Sequence, residues 1–154
     1  MYVNILLSTD GSEVARRGVE HGIALAKVLN AKVTVITVTE PLLPVDYGCG
    51  SGHAPRWMPS QEDLDSWDAA RKELVGKVLD EARAMAEQSG ISAELLHVPN
   101  EHHPATAIIE TAKSGGCDLI VMGSHGRRGL RKLVLGSQTS EVLADGSVRV
   151  LVVH

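Results

Sequence analysis

The segment Val121-Met-Gly-Ser-His-Gly-Arg-Arg-Gly-Leu-Arg-Lys-Leu-Val-Leu-Gly-Ser137 decides how this chain is read. It follows a short continuous apolar run, Asp118 to Met122, and its glycines are spaced Gly123-x2-Gly126-x9-Gly136-Ser137. Glycines placed after a strand admit positive φ and close approach of the main chain to a ligand, exposing successive N–H groups that can surround phosphate oxygens. Gly136-Ser137 then opens a short helical stretch, Ser137 to Leu143. Its unpaired N–H groups and dipole make a second anion site, with the Ser137 hydroxyl as an added donor. Arg127, Arg128, Arg131 and Lys132 supply the charge between Ser124 and Leu135, where no acid occurs, although the whole chain carries a formal charge of -4. A basic G-x-x-G stretch alone is as readily a solvated loop; the Gly-Ser helix start that follows tips the reading toward phosphate. It is not a Walker loop, since no Gly-Lys-Ser/Thr follows the first strand. It is not a dinucleotide fingerprint either, because the first strand-to-helix turn reads Ser8-Thr-Asp-Gly-Ser12.

Working outward, strands and helices alternate. Tyr2 to Ser8 is apolar and β-branched, and Thr9-Asp-Gly-Ser12 supplies turn and cap residue types before an amphipathic helix from Glu13 to Leu29. Lys32 to Thr39, dense in Val, Ile and Thr, reads as a second strand. A Pro- and Gly-rich stretch at 41–59 reads as a long loop, and Ser60 with Asp63 forms a capping-box pattern for a long helix ending near Gly90. Ser92 to Val98 is a third strand, Pro104 starts a helix that Gly115-Gly116 stops, and Val148 to Val153 is the last strand. This order predicts an α/β fold: one domain over 1–154, a doubly wound, five-stranded parallel sheet with helices on both faces. In such sheets ligands bind beyond the carboxyl ends of the strands, where the strand order reverses.

Composition narrows the function. With 154 residues the chain can bury a full core, and 44% of them are in the hydrophobic classes. Asp+Glu outnumber Lys+Arg by 19 to 15, so no global basic field exists to hold a nucleic acid; aromatics at 3% leave few platforms for stacking bases. No apolar run approaches the ~18 residues a membrane span requires, and the start Met1-Tyr-Val-Asn4 has no charged leader, so a cytoplasmic protein without membrane insertion is expected.

From Ile5-Leu-Leu-Ser-Thr-Asp-Gly-Ser12, through Val121 to Leu130 and Leu133-Val-Leu-Gly-Ser-Gln-Thr-Ser-Glu-Val-Leu143, to Arg149-Val-Leu-Val-Val-His154, the chain resembles the universal stress protein family. The resemblance covers nearly the full length and implies the Usp, adenine nucleotide α-hydrolase-like arrangement. The nucleotide-binding branch of that family is marked by G-x2-G-x9-G-S/T, which Gly123, Gly126, Gly136 and Ser137 satisfy. The resemblance implies ATP with Mg²⁺ as cofactor. Thr9, Asp10 and Val38 would contact base and ribose, Met122 and Gly123 would lie beneath the sugar, and Ser124, Gly126, Arg127, Gly136, Ser137 and Gln138 would hold phosphates. It also implies a stress-response homodimer, paired through Val148–Val153, whose nucleotide occupancy is read by a downstream protein. An unpaired Val-Arg-Val-Leu-Val-Val edge is itself an aggregation hazard, which makes pairing with a second copy physically reasonable. Two alternatives stay open: a slow ATPase or autophosphorylating enzyme, and a dimeric interaction module with an empty pocket. Two departures stand out. Gln138 occupies a position where the family has a small apolar residue, and Asp145-Gly-Ser147 replaces its usual Cys-Pro.

The remaining signals are weaker. Cys49 with His53, and His102-His103 beside Glu101, match no standard zinc spacing, so no metal site is assigned to the protein itself. Asp10 doubles as a cap residue for the first helix, a role Ser12 can also fill. Cys117 before a strand reads as a buried small apolar residue, Trp67 as core at helical spacing, and Trp57 as undecided between ligand and core. No G-x-S-x-G elbow is present, and no serine has an evident base partner, so no catalytic residue is assigned.

Overall fold

Successive residues of three neighbouring strands turn to opposite sides, and both sides are dry. Ile5, Leu7, Val33, Val35, Leu119 and Val121 enter one buried cluster, while Leu6, Ile36, Ile120 and Met122 enter a second. A strand buried on both faces is what a parallel sheet sandwiched between helices requires. A computed structural model describes residues 1–40, 60–99, 103–125 and 135–154. Its elements are β1 (Asn4–Ser8), α1 (Glu13–Leu29), β2 (Lys32–Thr39), α2 (Gln61–Gln88), β3 (Ala93–Pro99), α3 (Pro104–Ser114), β4 (Leu119–Gly123), α4 (Ser137–Asp145) and β5 (Arg149–Val153). All pairings are parallel, in the order β3-β2-β1-β4-β5, with Ile5 opposite both Val33 and Leu119. Val19, Ile23 and Ala26 of α1 and Ala82 and Ala86 of α2 cover one face; Ala105, Ile108 and Ala112 of α3 and Val142 of α4 cover the other. The expected doubly wound five-stranded α/β sheet is the observed one. The expected loop at 41–59 lies outside the described residues.

Small residues set how closely α1 lies on the sheet. A Cβ at Gly123 would stand 3.0 Å from Ala15 N and 3.1 Å from the Val14 carbonyl carbon, and a Cβ at Gly18 would stand 3.3 Å from Gly123 N. Those contacts are with main chain, which has no rotamer to yield. The first turn of α1 is therefore pressed onto the last residue of β4. Elsewhere the ends follow their caps. The Ser60 hydroxyl accepts Asp63 N–H while the Asp63 carboxylate accepts Ser60 N–H, the expected capping box, and the Ser60 hydroxyl, donating to that carboxylate, together with the Ser60 N–H holds the Asp63 carboxyl below its ordinary pKa. The first strand starts at Asn4 instead of Tyr2. The N–H groups of Val3 and Asn4 donate to the Asp118 carboxylate, not to a neighbouring strand.

One expectation is corrected. Trp67 is 46% exposed, and Leu74 is exposed as well; neither is core. The cause is length: a 28-residue helix runs about 42 Å at its rise per residue, whereas the seven-residue β3 beneath it spans about 23 Å. Burial on α2 begins at Val75, and the first half of the helix overhangs the sheet, leaving Trp67 and Leu74 in solvent.

The glycine contacts predict opposite outcomes for the same substitution. Gly123→Ala should destabilise the protein by about 1–3 kcal/mol, because the new methyl meets fixed backbone. Gly76→Ala, where nothing lies within 4 Å of the added carbon, should stabilise by about 0.5–1 kcal/mol. Urea-unfolding midpoints check both, and equal shifts would contradict the packing described.

Candidate functional site

β1 is the central strand. From it the chain runs outward to β2 and β3 on one side, then returns to β4 and β5 on the other, so the strand order reverses between β1 and β4. The carboxyl ends of those two strands frame the crevice where doubly wound sheets take ligands.

On the β1 side, Thr9 N–H donates to Ile36 O at 3.0 Å, extending the sheet one residue past the strand, and Thr9 is buried. Gly11 has φ 77°, the left-handed region open to glycine at little cost, and its N–H donates to Thr9 Oγ1 at 3.2 Å. Ser12 N–H donates to Asp10 Oδ1 at 2.9 Å, and Ser12 Oγ in turn accepts Ala15 N–H as the N-cap of α1. The two readings of Asp10 and Ser12 thus separate: Ser12 caps the helix, and Asp10 shapes the turn that leads to the cap. Val38, near the end of β2, is half-buried against the Ile36, Ile108 and Met122 side of the sheet.

On the β4 side, three bonds gather the strand end, the last strand and the start of α4. Ser124 N–H donates to Val153 O at 2.7 Å, Gly136 N–H donates to Ser124 O at 2.8 Å, and the Thr139 hydroxyl donates to Gly123 O at 2.9 Å. Ser124 Oγ lies 3.0 Å from His125 Nδ1. Gly136 is the N-cap of α4 in extended conformation, and among the described residues no side chain caps that helix. A Cβ at Gly136 would sit 3.3 Å from His125 Cα, so glycine is what lets the helix start close over the β4 exit. The result is a helix N-terminus, positive by its dipole, fixed beside the switch point.

The expected site residues divide accordingly. Gly123, Ser124, Gly136 and Ser137 come together at one sheet end, with Thr9 and Asp10 at the neighbouring strand's exit. Met122 is 5% exposed with its side chain in the core, which leaves only its main chain to meet a ligand. The missing side chain of Gly123 faces α1. Gln138 Oε1 accepts Ala105 N–H at 2.7 Å, tying α4 to α3. Gly126 and Arg127 lie outside the described residues, as do Cys49, His53, Trp57, Glu101 and His102. Thr139 is the residue that reading the sequence missed. Its signal was a hydroxyl on the first turn of a helix, directly after the Gly-Ser pair, where a solvated polar residue is the ordinary reading.

Other features lie apart. A cavity of about 550 Å³ opens at the amino ends of the strands, lined by Asn4, Lys32, Thr34, Glu94 and Cys117 among others. That end of a doubly wound sheet lacks both a switch-point crevice and helix N-termini. Burial, with the charges of Asp118 and Glu94, pushes the Cys117 thiol above its ordinary pKa, which fits an inert buried cysteine. Among the described residues no three His, Cys, Asp or Glu side chains gather to hold a metal, and no helix is long and apolar enough to cross a membrane.

Comparison with known proteins agrees with this geometry. The model of the universal stress protein family matches residues 1–154. Universal stress protein MJ0531 of Methanocaldococcus jannaschii is 33% identical over 155 residues, covering 99% of this chain and 82% of its own. Among solved structures, protein MJ0577 superposes with a TM-score of 0.79 at 26% identity, over 99% of this chain and 96% of its own. A universal stress protein in complex with cAMP has a TM-score of 0.67 at 24% identity, over 99% and 98% of the two chains. Two more distant structures share the fold: one from Archaeoglobus fulgidus with dAMP (TM-score 0.63, 19% identity, 99% and 98% covered) and one from Arabidopsis thaliana with AMP (0.64, 14%, 97% and 90%).

Thr139→Val tests the clasp. Leaving the buried Gly123 carbonyl without its hydroxyl donor should cost about 1–3 kcal/mol, read as a lower urea midpoint. A midpoint equal to that of the wild type would show that the bond does not hold α4 in place.

Proposed function

The chain belongs to the universal stress protein family, and on that premise we propose that it binds an adenine nucleotide, ATP with Mg²⁺, across the carboxyl ends of β1 and β4. The observation that carries this reading is the uncapped start of α4, set by Gly136 and Thr139 against the β4 exit. Its main-chain donors and dipole suit an anionic tail, and the Ser137 hydroxyl adds a donor of the same kind. Arg127 and the main chain at Gly126 complete the phosphate site in this reading. Thr9, Asp10 and Val38 take the adenosine end, with Gly123 and the Met122 main chain beneath the sugar. Relatives of the same fold are found with AMP, dAMP and cAMP, which supports the adenine nucleotide as the class of ligand. Bound Mg²⁺ neutralises phosphate charge; the protein's part is to orient the tail along the helix start.

The protein acts as a nucleotide-dependent signalling homodimer in the cytoplasm, its two copies joined through β5 and its occupancy read by a partner protein. β5 is an edge strand of the sheet, with Leu151 exposed on it, the kind of edge that a second copy would cover.

Two measurements test this. Asp10→Asn keeps an amide oxygen for the Ser12 N–H and so spares the turn, while removing the negative charge offered to ribose or the exocyclic amine. Calorimetric titration should show about tenfold weaker binding of adenosine compounds and unchanged binding of tripolyphosphate. Unchanged binding of both would assign Asp10 to the turn alone. Leu151→Lys should convert a dimer into a monomer in sedimentation, since lysine blunts a pairing edge; a dimer that persists would place the interface elsewhere.

A further inference from the structure

Helix α3 begins with a deficit of donors and caps. His103 stands at its N-cap position without a side-chain bond, and Pro104 at the first position has no N–H. Ala105 therefore presents the first main-chain donor of the helix, and Ala105 is 1% exposed, where an unmet N–H is costly. Gln138, on the first turn of α4, meets it from 33 residues away through Oε1 at 2.7 Å. An N–H donor demands the oxygen of the amide, so this bond settles which end of the Gln138 side chain faces α3. The amide is planar. With its oxygen pinned, its NH₂ group is confined to positions about that one bond, and among the described residues no group accepts from it. Gln138 directly follows Ser137 on the uncapped turn, so a donor held from α3 stands beside the α4 start.

We infer that Gln138 is a selectivity residue for the length of the phosphate chain: α3 holds its carbonyl oxygen, and its NH₂ group donates to the distal phosphates of a nucleotide. This rests on the nucleotide reading above. A small apolar residue at this position would leave both the α3 donor unmet and the distal phosphate one donor short. The two duties of Gln138 are carried by opposite ends of one amide, which makes them separable by substitution.

Titration of the full chain with ATP and with AMP, each with Mg²⁺, tests the donor role, and amide hydrogen exchange at Ala105 tests the cap. Gln138→Met removes both ends of the amide; it should weaken ATP about tenfold, change AMP less than about twofold, and speed exchange at Ala105. Gln138→Glu keeps an oxygen for Ala105, so exchange there should stay slow, yet ATP should remain at least as weak as in Gln138→Met. Should ATP and AMP weaken equally in Gln138→Met, or ATP affinity return in Gln138→Glu, Gln138 is a structural cap and the selectivity role is overturned. Wild-type protein that takes up neither nucleotide would instead overturn the nucleotide reading, and this inference with it.

Discussion

Everything at the carboxyl edge of the sheet depends on how near α1 comes to β4. Gly18 on the helix and Gly123 on the strand face each other with no side chain between, and the first turn of α1 lies on the strand's last residue. A single methyl at either point would meet main chain, and the helix would have to lift. Because α1 starts directly after the β1 exit, lifting it would also carry away the Thr9 to Ser12 turn. The closeness of two backbones thus fixes the spacing between two loops that are more than a hundred residues apart in sequence.

The second constraint is topological. β1 has a neighbour on each side, and the chain departs from it in both directions, which leaves a crevice that no crossover covers. Into that crevice the protein brings the start of α4, held by Gly136 N–H on Ser124 O and by the Thr139 hydroxyl on Gly123 O. An open helix start is a common feature of proteins and says little alone. Here it is anchored by a buried hydroxyl and a glycine with no room for a side chain, and it is linked through Gln138 to a second helix that lacks a cap of its own. Rigid support of this kind is what a phosphate site needs if its main-chain donors are to meet the ligand without reordering.

Much of this was legible in the residues. Short apolar and β-branched runs place all five strands within two residues of their observed ends. Ser12 and Ser60 mark helix starts through chemistry local to a few residues. What escaped were contacts made across the fold. Trp67 has the spacing of a core residue, but whether a helix face is covered depends on the length of the sheet beneath it. Val3 resembles strand and is held instead by Asp118, more than a hundred positions away. Gln138 and Thr139 look like surface polar residues until α3 and β4 are placed beside them. At Gly123 the sequence does not show that the space left by the missing side chain is filled by the first turn of α1.

Where the tail of a nucleotide lies is the deciding fact. A crystal structure of the protein grown with ATP and Mg²⁺ measures this directly. Phosphate density within hydrogen-bonding distance of the main chain at Gly136 and Ser137, with the adenosine end toward Asp10 and Val38, is the predicted result. Density at another surface, or a crevice filled with solvent alone at millimolar ATP, would contradict it.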